Sequence, residues 1–84
     1  MEKGWREVVG DGHIKWYDEC GIVRKTVFTN NSGTFYYDEN AFHHRLDGPA
    51  REWPAGKEWY IHGERIFCSS QKEFERLLKL KAFW

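Results

Sequence analysis

The chain has 84 residues, five of them Trp, four Tyr and six Phe, with thirteen basic and thirteen acidic side chains that cancel. A single domain of this length buries only about 60 to 65 % of the surface its unfolded chain exposes, which leaves little for a deep or strained active site. Zero net charge removes the field expected of a protein that wraps nucleic acid or coats an anionic membrane, and aromatics at 18 % let a small core suffice.

From the start, Met1-Glu-Lys-Gly-Trp5 lacks the apolar run of a secretory leader, and no segment reaches transmembrane length. Cys20 and Cys68 stand far apart without a CxxC partner, so a reduced cytoplasmic setting is expected, with neither metal nor disulfide needed for folding.

The chain then repeats itself. Gly12-His-Ile-Lys-Trp16-Tyr17-Asp-Glu-Cys-Gly21, Gly33-Thr-Phe-Tyr36-Tyr37-Asp-Glu-Asn-Ala41 and Gly56-Lys-Glu-Trp59-Tyr60-Ile-His-Gly63 each carry a glycine, a short spacer, two adjacent aromatics and a turn. The pattern predicts β-hairpins in series, each completed by its neighbour. Strands are expected at 13–17, 21–29, 34–37, 49–53, 57–61 and 64–67 from β-branched and aromatic content and alternation. Alternation sends the two aromatics of each pair to opposite faces, one to the core and one outward.

At the end the period changes. Ser70-Gln-Lys-Glu73 matches a capping box, and Phe74, Leu77, Leu78 and Lys81 follow at helical spacing, predicting a helix over 70–81 docked on the sheet. The expected fold is mainly β with one C-terminal α-helix: one domain over 1–84, with serial antiparallel hairpins over 1–69 forming a twisted sheet, and the helix and aromatic tail over 70–84.

The densest polar constellation is His43-His44-Arg45-Leu46-Asp47-Gly48-Pro49-Ala50. A zinc site would need about four converging ligands, whereas residues 43 and 44 diverge on an extended strand. The expected role is structural, with Asp47 bonding turn amides, Pro49 fixing its backbone, and Arg45 or His44 bridging strands. A Cys-His nucleophilic pair lacks an orienting acid, and no phosphate loop or paired-carboxylate motif stands out. No cofactor, metal or catalytic residue is expected, and nearby acids neutralise the cations that direct nucleic-acid binding would use.

The string 44–50, with Glu52-Trp53 and Gly56-Lys-Glu-Trp59-Tyr60-Ile-His-Gly63, resembles a repeat family of small proteins encoded by tailed bacteriophages and some large viruses. Its pattern, His-Arg-x-Asp-Gly-Pro-Ala then Gly-x-x-x-Trp-Tyr-x-x-Gly, is similar to a variant of the MORN hairpin repeat, and the closing helix resembles the ending of such phage proteins. The resemblance implies a binding or scaffolding module working in the host bacterial cytoplasm. The leading expectation is an inhibitor of a host defence protein or complex, such as a CRISPR effector, acting by direct contact and without a membrane. A virion assembly component and a sponge for a nucleotide signal are the alternatives, and a homo-oligomer stays open. The expected contact residues are Tyr17, Tyr37, Arg45, Tyr60, Phe83 and Trp84, since interfaces concentrate their energy in Tyr, Trp and Arg.

Overall fold

A computed structural model describes residues 4–80. The chain forms β1 (Arg6–Gly10), β2 (His13–Tyr17), β3 (Val23–Phe28), β4 (Gly33–Tyr36), β5 (Arg51–Trp53), β6 (Gly56–Ile61), β7 (Glu64–Ile66) and α1 (Gln71–Leu80). The strands pair antiparallel in sequence order as one open sheet, a meander of hairpins with a single helix at its end. β1 is the strand that the sequence leaves unassigned: it holds only Val8 and Val9 as apolar residues, both exposed, and owes its strand state to pairing with β2.

Register explains the core. Trp16 faces Lys25, Lys25 faces Tyr36, and Trp59 faces Ile66. Extending the β4–β5 and β5–β6 registers by one residue sets Ala50 between Tyr36 and Trp59. The result is one cross-strand row, Trp16–Lys25–Tyr36–Ala50–Trp59–Ile66. Four of its members are buried hydrophobics, and the fifth buried hydrophobic among the described residues, Phe74, comes from the helix. Ala50, set between the aromatic neighbours Tyr36 and Trp59, is wholly buried.

The helix covers the β6–β7 end of that row, where Phe74 packs with Trp59 and Ile66, flanked by Ile61, Cys68, Leu77 and Leu78. Ser70 accepts the Glu73 amide at 3.2 Å, as a capping box requires, but Glu73 reaches back to the Ser69 amide at 2.7 Å, one residue before the cap. Gln71 ties the first turn down: its Oε1 accepts the Trp59 indole at 2.8 Å and its Nε2 donates to the Leu46 carbonyl at 3.1 Å. Lys81, Phe83 and Trp84 lie outside the described residues.

Two turns use one device. In each, an Asp amide donates to a carbonyl four residues on, and its Oδ1 accepts two backbone amides: Asp18 those of Cys20 and Ile22, Asp38 those of Asn40 and Phe42. Gly21 and Ala41 fill equivalent left-handed positions, at φ 82° and 66°. The His62-Gly63 turn is tighter, with both residues at positive φ, as suits a two-residue hairpin connection.

The His43–Ala50 constellation is a strand interrupted by a loop. His43 bridges Tyr37, the His44 amide donates to the Tyr36 carbonyl, and the Arg45 amide donates to the Tyr60 carbonyl, so 43–45 lies between β4 and β6. The chain leaves at 46–49 and returns at Ala50, whose carbonyl accepts the Tyr36 amide.

Candidate binding surfaces

The Arg45 side chain organises the loop that interrupts the strand. Its guanidinium lies 4.1 Å from the Tyr36 ring centroid, donates Nε to Asp47 at 2.8 Å and Nη1 to the Pro49 carbonyl at 3.4 Å. Asp47 therefore serves Arg45, not the neighbouring turn amides that sequence reasoning assigned to it. A Cβ at Gly48 would stand 2.7 Å from the guanidinium carbon, so a larger residue there displaces the Arg45 side chain from its place over Tyr36. Arg45 holds the exposed Asp47 carboxyl below its ordinary value.

On this side of the sheet the loop closes a groove of about 520 Å³, lined among others by Trp5, Arg24, Lys25, Tyr36, His44 and Arg45. The rings are platforms for its cations: Arg24 lies over Trp5 at 5.2 Å, and Lys25 lies over Trp16 at 4.9 Å and Tyr36 at 5.2 Å. Arg24 is further fixed by the Tyr37 carbonyl at 3.0 Å and by Asp18 at 3.3 Å. The Asp18 carboxyl sits below its ordinary value, chiefly through the Ile22 amide and against a smaller opposing effect of burial, with the Cys20 amide and Arg24 adding to the drop. Lys25 forms no ion pair among the described residues.

The opposite face carries the outward member of each aromatic pair. By alternation Tyr17, Tyr37 and Tyr60 all lie there, while Trp16, Tyr36 and Trp59 belong to the core row. His43 joins two of the tyrosines, stacked on Tyr37 at 5.0 Å and tilted against Tyr60 at 5.3 Å. Phe35, Phe28 and His13 continue the aromatic line across the sheet. Beside it, Glu58 accepts from Arg51 at 2.9 Å, Arg65 at 3.2 Å and the Tyr60 hydroxyl at 3.1 Å. Tyr17 shares this face two strands away, under Arg6. The contact residues named from sequence thus divide: the tyrosines share one face, Arg45 faces the groove, and Phe83 and Trp84 lie outside the described residues. Sequence reasoning missed Lys25 and Tyr36 as groove partners, because their juxtaposition depends on β3–β4 register, and missed His43 as the link between two tyrosines.

At the bottom of the sheet His44 and His62 stack at 4.0 Å. The His62 amide donates to His44 Nδ1 at 3.0 Å, and His62 Nδ1 donates to Asp38 Oδ2 at 2.8 Å. Burial, then the neighbouring His62, lowers the His44 pKa, and burial, then Arg51, lowers that of His43. Burial pushes the Asp38 carboxyl up, but bonds from His62 and the Phe42 and Asn40 amides outweigh it and leave the group below its ordinary value. Burial pushes the Cys68 thiol up, opposite to an activated nucleophile. Among the described residues no three His, Cys, Asp or Glu side chains cluster as metal ligands, and no helix is long and apolar enough to cross a membrane. Comparison with family models, curated proteins and solved structures gives no match.

Proposed function

We propose that this chain is a non-enzymatic binding module of a tailed bacteriophage that blocks a host antiviral defence protein, such as a CRISPR effector, by direct contact in the host cytoplasm. The observation that carries the reading is the Tyr37–His43–Tyr60 cluster: three partly exposed aromatic side chains packed together on the sheet face opposite the row that the helix covers. Tyrosines give large contact area for few ordered torsions, and a fixed charged rim of Arg51, Glu58 and Arg65 suits an interface edge. The hairpin repeat and its resemblance to phage-encoded proteins supply the setting.

The test is phage plating on bacteria that carry one defence system each, with and without the chain expressed. Restored plating against one system, lost on Tyr37→Ala or Tyr60→Ala at unchanged expression, is the expected result. Failure to restore plating against every system, with the chain found instead in purified virions, would favour an assembly component.

A further inference from the structure

We propose that the groove on the core-row side is a second, separate binding site, and that it takes a small phosphorylated ligand of nucleotide size. Three cations, Arg24, Lys25 and Arg45, line it, against the single lining carboxylate Asp47. Asp18 also pairs with Arg24, so the local balance is three positive charges to two negative. Each cation is already placed on an aromatic ring, so little ordering entropy is lost when an anion arrives.

Their donors are not exhausted. A guanidinium has five N–H groups. Arg24 uses Nε and Nη1, and Arg45 uses Nε and Nη1, each leaving Nη2 without a protein acceptor among the described residues. The Lys25 ammonium donates to no protein acceptor among those residues. This donor set matches phosphate oxygens. The groove volume of about 520 Å³ is much larger than a phosphate and lies in the usual range for small-molecule sites. Its rim is apolar as well as charged, since Trp5 lines it and Leu46 stands 56 % exposed beside Arg45. A ligand with a phosphate at one end and a planar base at the other satisfies both features. Tyr37 belongs to the tyrosine cluster and also lines the groove, whereas Tyr60 and His43 line only the opposite face, so substitution of Tyr60 separates the two sites.

Calorimetric titration of the full chain with ADP and GDP tests this, with adenosine and inorganic phosphate as the two halves of the ligand. At least one nucleotide should bind saturably, and adenosine and phosphate should each bind at least about tenfold more weakly. Lys25→Gln, in protein that remains folded, should weaken the nucleotide by about tenfold, whereas Tyr60→Ala, on the other face, should leave its binding unchanged. No saturable binding of either nucleotide to the wild-type chain overturns the proposal. So does phosphate binding as tightly as the nucleotide, or a folded Lys25→Gln protein that binds like the parent.

Discussion

Ala41 occupies a left-handed backbone position at φ 66° that its counterpart Gly21 fills without strain. A Cβ in that region is disfavoured by about 1 to 2 kcal/mol, part of which glycine loses again through its looser unfolded chain. Ala41→Gly should therefore stabilise the protein by about 0.5 to 1 kcal/mol in chemical denaturation, and a loss of stability would show that the two turns are not equivalent. Asp38 sets the opposite case. It is buried and accepts two amides and a histidine, so Asp38→Ala should cost about 2 to 3 kcal/mol by leaving those donors unpaired. In the interrupting loop, Asp47→Ala removes only a largely exposed partner of Arg45 and should cost less than about 1 kcal/mol. Gly48→Val drives a side chain into the Arg45 guanidinium and should cost more than Asp47→Ala in the same melts.

Among the elements, the helix and the repeated hairpins were legible in the sequence because their signals are local. Ser70 and Glu73 mark a helix start, and paired aromatics between turn residues mark β2, β4 and β6. β1 was not legible, since Arg6-Glu-Val-Val-Gly10 has no alternation of its own and becomes a strand by pairing. The interruption at 46–49 was hidden for a related reason: nothing in His43-His44-Arg45 says that it shares a strand line with Ala50. Alternation alone put Tyr17, Tyr37 and Tyr60 on one side of the sheet, as the structure has them. The groove needed long-range register and could not be read. At this scale Phe74 is the decisive side chain, fully buried against Trp59 and Ile66. Phe74→Ala should cost about 3 to 5 kcal/mol and release the helix, seen as lost helical circular dichroism before the sheet melts. Retention of full helix signal would show that α1 holds without this contact.

For the whole molecule, His43 and His44 couple stability to pH. The folded-state pKa values of His43 and His44 lie below the ordinary 6.5, so the unfolded chain binds more protons as pH falls past that value. Their contribution is complete above about pH 6.5 and is lost as pH falls through the folded values. Protonation of His44 Nδ1 also removes the acceptor of the His62 amide. Asp38, lowered from 3.8, repeats the same sign in a second, more acidic window. Melting temperature should accordingly fall between pH 7 and pH 5, and His43→Phe should flatten the first part of the fall while removing a buried ring nitrogen that has no partner. A melting temperature that rises on acidification would contradict the assignment.

The molecule as a whole is one sheet with a buried cross-strand row that the helix covers at one end, and the proposed contact face is the opposite one. The adjacent pair Trp59 and Tyr60 tests that division most directly, since the two residues share a strand and differ in the face they serve. Thermal unfolding of Trp59→Ala and Tyr60→Ala, each paired with the plating assay, reads both consequences at once. A division of the sheet into a core face and a contact face predicts a loss of about 3 to 5 kcal/mol for Trp59→Ala, as for a buried aromatic, and no more than about 1.5 kcal/mol for Tyr60→Ala together with loss of biological activity. A Tyr60→Ala protein that unfolds as readily as Trp59→Ala, or one that folds and retains full activity, would contradict it.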